Sequence, residues 1–151
     1  MLKGRVRALR VEIATHAHAT EDEERVVKAV VNLAPNVLRR VRVGRVVLEG
    51  HYGNPITRIT VHVSGSDVEE FLREFASRLG PNEKRMFRFL IRERYDASSG
   101  RLFLRVSKQD AFLGHVRFSD GDDVVRVVVV FRGSPSVDDV IKEFEELGLV
   151  A

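Results

Sequence analysis

The sequence of 151 residues contains no cysteine and no long uninterrupted apolar run. Without cysteine, a disulfide-stabilised scaffold, a zinc site with thiolate ligands and a cysteine nucleophile are excluded. The longest apolar stretch, residues 124–131, is interrupted by Arg126 and falls short of the roughly 18 residues that span a bilayer. The basic N-terminal residues precede no apolar segment, so we expect a cytoplasmic protein with no signal peptide and no membrane partner.

Sequence motifs of catalysis are missing as well. The chain has no glycine-rich phosphate loop, no GxSxG nucleophile motif and no zinc-enzyme helix with paired histidine and glutamate. No nucleophile can be matched with a base. We therefore predict that the protein is not an enzyme and uses no cofactor. No stretch rich in proline, serine or glycine is long enough to be a linker, which predicts one domain over residues 1–151.

Arginine dominates the basic residues, with 20 Arg against 5 Lys and a formal net charge of +3. Its guanidinium binds phosphate through parallel hydrogen bonds and stacks on bases. The charge is uneven along the chain: residues 84–108 carry a net charge of +6, whereas residues 120–151 carry −5. A basic region of this kind favours a nucleic-acid partner. Arginine enrichment is also typical of ion-pair networks in heat-adapted proteins, and the count alone does not separate the two interpretations.

Hydrophobic periodicity predicts six strands and four helices in the order β-α-β-β-α-α-β-β-β-α. The predicted strands cover residues 5–15, 41–49, 56–63, 101–106, 111–118 and 124–131. Thr20, Ser66 and Ser136 each precede an acidic residue three positions later, which predicts helix N-caps. Residues 86–95 fit a helix that Asn82 would cap, with a strand as the alternative. Hairpin strands with segregated helices predict an α+β two-layer sandwich, a mostly antiparallel sheet with helices on one face.

Four ordered stretches carry a family resemblance. They are residues 18–23 (HATEDE), 50–56 (GHYGNPI), 93–96 (ERYD), and 102–109 (LFLRVSKQ) followed by 111–114 (AFLG). In this order they resemble the archaeal RNA-binding family described as predicted exosome subunits. The resemblance implies RNA as a partner, exosome or ribosome-related proteins as further partners, and a fold like the large-subunit ribosomal protein that holds five-S RNA. Ser107 departs from the acidic residue expected there, which leaves open what holds the Lys108 ammonium.

The candidate RNA-contacting residues lie in two parts of the chain. On an alternating strand Arg101, Phe103 and Arg105 share one face, and arginines that flank an aromatic ring suit unpaired bases. The alternative is that a helix covers Phe103. The hairpin tip of residues 50–55 offers His51 and Tyr52 for stacking and backbone contacts. The complete predicted set is Arg88, Arg92, Arg94, Arg101, Phe103, Arg105, Lys108, His51 and Tyr52.

Two other functions are compatible with the sequence. The valine-rich strand 124–131 could pair with another chain if it lies at a sheet edge, which would give a protein-interaction module or a homodimer. His16, His18 and His51 could hold a zinc ion with one open position in a small metal-dependent enzyme. No ligand pair of known spacing supports that site, so we predict no metal.

Overall fold

The computed structural model describes residues 6–50 and 53–151. Six antiparallel strands form one sheet in the order β2-β3-β1-β6-β5-β4. The strands are β1 (Ala8–Ala17), β2 (Val43–Glu49), β3 (Pro55–Ser64), β4 (Tyr95–Asp96), β5 (Arg101–Ser107) and β6 (Val124–Phe131). The helices are α1 (Glu23–Val31), α2 (Pro35–Leu38), α3 (Asp67–Arg78), α4 (Pro81–Arg94), α5 (Lys108–Phe112) and α6 (Val137–Glu146).

Alternating burial divides the sheet into a covered face and an open face. Every second residue of the inner strands is buried, among them Val11, Ile13, Ile59, Val61, Leu102, Leu104, Val127 and Val129. These side chains point toward helices α1, α3, α4 and α5, which pack on the strands. The residues between them are largely exposed or half-buried. This arrangement confirms the predicted α+β sandwich with helices on one face of an antiparallel sheet.

Aromatic side chains pack helices α4 and α6 against each other in the core. Phe87 of α4 packs edge-to-face on Phe144 of α6, with ring centroids 5.5 Å apart, and on Phe118 at 5.1 Å. Phe87 and Phe144 are fully buried. Each ring contributes about 2 kcal/mol or more by burial alone. The helical periodicity of residues 81–94 is therefore real, and the alternative strand over residues 86–95 is wrong.

The predicted strand over residues 111–118 is wrong. Ser107 ends β5 and its hydroxyl accepts a hydrogen bond from the Asp110 amide at 3.2 Å, which starts α5. Helix α5 occupies the first residues of the predicted strand, and the chain turns after it at Gly114, whose φ is +90°. Only single bridges, Leu79 to Val116 and Val106 to Phe118, remain of strand pairing there. The short α2 and the two-residue β4 are further elements that periodicity did not predict.

The predicted caps are correct at one helix of four. The Ser136 hydroxyl accepts from the Asp139 amide at 3.2 Å, as predicted. Helix α1 is instead capped by Asp22, which accepts from the Glu24 amide at 3.0 Å, so Thr20 is not its cap. Ser66 precedes α3 without a side-chain capping bond. Gly80, not Asn82, precedes α4, because Pro81 takes the first helical position.

Strand β6 is central and lies between β1 and β5. The hypothesis that residues 124–131 form an exposed sheet edge is therefore wrong, since both sides of this strand are already hydrogen-bonded. The outer strands are β2 and β4. Within the described residues, no helix combines the length and the apolar character that crossing a bilayer requires.

Candidate nucleic-acid interface

The open face of the sheet carries a concentrated set of basic side chains. The register places Arg105 of β5 directly opposite Arg126 of β6, and Arg58 of β3 directly opposite His16 of β1. Arg126 in turn pairs with Ala14 of β1. The three arginines border a groove of about 460 Å³, whose lining also includes Glu12, Arg94, Phe103 and Val128. We call it the basic groove and define it by Arg58, Arg94, Phe103, Arg105 and Arg126. His16 lies beside Arg58 and is not part of this lining.

Two arginines of the basic groove face each other without internal compensation. Like charges directly opposite on neighbouring strands are unfavourable, and no ion-pair partner of Arg58 or Arg126 lies in the described part of the chain. Arg105 donates one hydrogen bond to the Gly121 carbonyl at 2.5 Å. Its buried Nε–H has no acceptor among the described residues. The groove therefore holds positive charge and donor capacity that the protein itself does not satisfy.

Other basic residues of the same face are already neutralised. Arg101 donates to Glu12 at 3.1 Å, and the Arg10 Nε lies 3.4 Å from the same carboxylate. Arg94, at the end of α4, lies 3.1 Å from Asp120. These pairs are exposed or only partly buried, so they contribute little to stability, and a phosphate can compete for the arginines. The uncompensated charge is thus centred on Arg58, Arg105 and Arg126.

Phe103 lies on the open face with 43% of its surface exposed. It stands opposite Val128 on β6 and two residues from Arg105 on its own strand. No helix covers it, so that alternative is wrong, and the prediction that Arg101, Phe103 and Arg105 share a face is confirmed. An exposed ring beside guanidinium groups is a platform on which an unpaired base can stack.

The pKa of His16 is lowered from its ordinary value of 6.5. Partial burial is the main cause, and the positive charges of Arg58 and Arg126 add to it, followed by His18 and Lys108. The native state therefore favours the neutral imidazole. The free energy of unfolding contributed by His16 is present above about pH 6.5 and is lost as the pH falls through the lowered native pKa.

A phosphate in the basic groove should raise the pKa of His16, because it screens the arginines that depress it. By linkage, a phosphate chain in the groove then binds with proton uptake, and the affinity for an RNA probe should rise severalfold between about pH 8 and about pH 5.5. Substituting His16→Asn should remove this part of the pH dependence. Nuclear magnetic resonance titration of the His16 ring, with and without RNA, measures the two pKa values. An equal or lower pKa in the complex contradicts phosphate binding beside His16.

Two predicted residues lie away from this face. Arg88 and Arg92 of α4 point toward α6, where they meet Glu145 at 3.3 Å and Asp138 at 3.0 Å. Helix α4 packs on the covered side of the sheet. The structure therefore does not bring Arg88 and Arg92 together with Arg101, Phe103 and Arg105, and the single patch expected from the sequence is divided by the sheet.

Lys108 has an internal role in place of the predicted surface contact. Its side chain is 6% exposed, and its ammonium lies 3.0 Å from Glu21 and 2.8 Å from Asp123. It also donates to the His16 carbonyl at 2.8 Å. These groups answer what holds the ammonium in the absence of an acid at position 107. A cavity of about 560 Å³ beside it is bordered by Glu21, Asp22 and Asp123, carboxylates that repel phosphate.

His51 and Tyr52 lie outside the described residues, so their roles stay predictions. The three-histidine zinc hypothesis includes His51, so it also stays a prediction. Within residues 6–50 and 53–151, no group of three or more His, Asp or Glu side chains is arranged to hold a metal ion.

Sequence reasoning missed Arg58 and Arg126. In the sequence Arg126 interrupts an apolar strand, and a charged residue inside a central strand of valines must point to an uncovered face. Arg58 belongs to a strand whose alternation was visible, with Thr60 and His62 at the same spacing. These two residues come close to Arg105 only because of the order and register of the strands. Neither the order nor the register can be read from the local sequence pattern.

Comparison with known proteins assigns the family. A family described as RNA binding matches residues 10–131. The RNA-binding protein PAB1135 of Pyrococcus abyssi is 30% identical over 137 residues, which cover 89% of this chain and 88% of that protein. The crystal structure of AF2318 from Archaeoglobus fulgidus, a DUF54 protein, has a TM-score of 0.75 and 27% identity and covers 93% of this chain and 99% of that one.

A second solved structure supports the fold alone. Mth689, a DUF54 protein from Methanothermobacter thermautotrophicus, has a TM-score of 0.73 at 24% identity and covers 93% of this chain and 97% of its own. The similarity therefore extends along nearly the whole of both chains. Because the family match covers most of the sequence, including every strand that borders the basic groove, this chain belongs to the RNA-binding family.

Proposed function

We propose that this protein binds RNA without catalysis, through the basic groove of the open face. The observation that carries the proposal is the direct opposition of Arg105 and Arg126, with Arg58 across the groove. Opposed guanidinium groups repel each other until an anion comes between them. A phosphate oxygen at this point accepts from both side chains, and charge-assisted bonds of this kind are the strong ones.

The same groove favours single strands over duplex. The Phe103 ring lines the same groove as the arginines, so a base can stack on it while the neighbouring phosphates contact Arg105 and Arg126. A paired base is already stacked within its helix and cannot reach the ring. The arginines of the groove are assigned to phosphates, and phosphate contacts carry no sequence information, so the binding is expected to be of low sequence specificity.

Binding of fluorescent single-stranded and double-stranded RNA across a salt series tests the proposal. Three uncompensated arginines predict a slope of roughly −2 for log affinity against log salt, at about 0.7 per phosphate contact on single strands. Single-stranded RNA should bind more tightly than duplex. Phe103→Ala should weaken single-strand binding by about tenfold and leave duplex binding nearly unchanged, since stacking contributes about 1–3 kcal/mol per base. Absence of binding at low salt by the folded protein contradicts the proposal.

A finer proposal concerns the RNA that is bound. The sequence resemblance to archaeal proteins described as predicted exosome subunits supports an RNA undergoing processing or degradation, and the resemblance to a five-S RNA-binding ribosomal protein supports ribosomal RNA. We propose that the protein acts on one of these RNAs beside exosome or ribosome-related proteins. Sequencing of RNA crosslinked to the protein in cells, with Arg126→Glu as the control, distinguishes the two.

A further inference from the structure

The outer strand β2 exposes an apolar segment that the RNA proposal does not use. Val46, Val47 and Leu48 are 56%, 70% and 41% exposed. Strand β2 pairs only with β3 among the described strands, so its other side presents backbone N–H and C=O groups to solvent. Exposed edges with apolar side chains on both faces readily pair with another strand.

We propose that β2 pairs antiparallel with β2 of a second copy of this chain, making a symmetric dimer. A two-fold axis perpendicular to the sheet keeps each side chain on its own face across the junction, which permits only registers centred on a residue. The register centred on Val47 places Val46 opposite Leu48 of the second copy. It also places Arg45 opposite Glu49, and this pair occurs twice by symmetry.

Charge complementarity selects this register among its neighbours. Centring the pair on Val46 places Arg45 opposite Val47 and Glu49 opposite Val43, and centring it on Leu48 places Glu49 opposite Val47. Neither of these two registers pairs opposite charges within β2. Opposite charges across an antiparallel pair are favourable, and apolar neighbours on the same face add to them. The self-complementary edge over residues 45–49 therefore favours a second copy over an unrelated strand.

The helix layer leaves room for such a partner. Val47 points to the covered face, yet 70% of its surface is exposed, so no helix in the described part of the chain covers this side chain. Arg45 on this face is held by Glu23 and Glu24 of α1 at 2.9 and 2.8 Å. Its guanidinium is thus fixed near the junction. The dimer would join two six-stranded sheets and set the two open faces side by side, which presents two basic grooves to one RNA strand.

Sedimentation equilibrium of the full chain without RNA tests the dimer. The interface is small, so we expect a weak, concentration-dependent dimer over about 5–500 μM. Val47→Lys places two ammonium groups face to face at the centre and should weaken association at least tenfold. The matched control is Phe89→Lys, at a similarly exposed apolar residue of α4, which packs near β4 and β5 at the opposite edge of the sheet. This variant should leave association unchanged. A monomeric wild type at all concentrations, or equal association of Val47→Lys and wild type, overturns the proposal.

Charge reversal tests the register. Arg45→Glu and Glu49→Arg should each weaken self-association, because each creates two like-charged pairs. Mixed together, the two variants should form a heterodimer in which both pairs are complementary again. Thermal melts of Arg45→Glu verify that losing its contacts with α1 leaves it folded. If the wild type dimerises but the mixture of the two variants does not regain association, the register centred on Val47 is overturned. Since no RNA is present, these outcomes are independent of the RNA proposal.

Discussion

Replacing Arg105 and Arg126 together by glutamate is expected to lower the affinity for single-stranded RNA at least about a hundredfold. Each residue is assigned a charge-assisted bond to phosphate of about 1.5–3 kcal/mol, and about 1.4 kcal/mol corresponds to tenfold in affinity. Both side chains lie on the open face, and neither is paired with a carboxylate in the described residues. Fluorescence anisotropy with a short single-stranded RNA at fixed salt measures the change.

A matched variant separates the groove from the overall charge. Arg88→Glu with Arg92→Glu changes the net charge equally but acts on the α4 surface that faces α6. We expect its affinity to fall no more than severalfold, through the general field alone. Arg105→Gln with Arg126→Gln removes the charges without creating an opposed carboxylate pair and should still cost about tenfold. Equal losses in the two glutamate variants contradict a localised groove.

Replacing Lys108 by methionine is expected to destabilise the fold by about 3 kcal/mol. The change leaves Glu21 and Asp123 close together without the cation between them and removes the donor to the His16 carbonyl. Breaking a buried pair from one side costs about 3–5 kcal/mol, and the partial exposure of both carboxylates places this case at the lower end. The melting temperature should fall by roughly 6–12 °C, measured by circular dichroism.

The Lys108 variant also distinguishes its two assigned roles. Below its melting transition, Lys108→Met should bind RNA within about twofold of wild type, because the ammonium does not reach the open face. Lys142→Met on the exposed side of α6 is the control and should change the melting temperature by less than about 2 °C. Unchanged stability together with weakened RNA binding would restore the role predicted from the sequence and contradict the structural one.

The sequence predicts which residues of one strand share a face, but it does not predict which strands lie next to each other. Period-two alternation placed Arg101, Phe103 and Arg105 on one face, because the pleat alone determines that geometry. Arg58 and Arg126 join them only through the order β3-β1-β6-β5, which is created by contacts between distant segments. Pairing of this kind depends on the whole core and not on any local pattern.

The remaining errors have local causes. Residues 111–118 form a short, mostly apolar segment, and periodicity alone does not distinguish a strand from a helix in a segment of this length. The N-cap at Ser107 starts helix α5 over the first of these residues. The sequence places Lys108 with the arginines around the loop of residues 96–100, although strict alternation would send its side chain to the opposite face of the strand from Arg101 and Arg105. The end of β5 instead turns its side chain inward between α1 and the start of β6, where Glu21 and Asp123 balance its charge.

Mapping of bound RNA by nuclear magnetic resonance tests the central claim most directly. Addition of a short single-stranded RNA should shift the amide signals of β1, β3, β5 and β6 around Arg58, Phe103 and Arg126, and Phe103 ring protons should show contacts to base protons. Signals of α4 and α6 near Arg88 and Arg92 should remain in place. Shifts confined to those helices, or to the residues that flank positions 51 and 52, with the open face unchanged, would contradict the account.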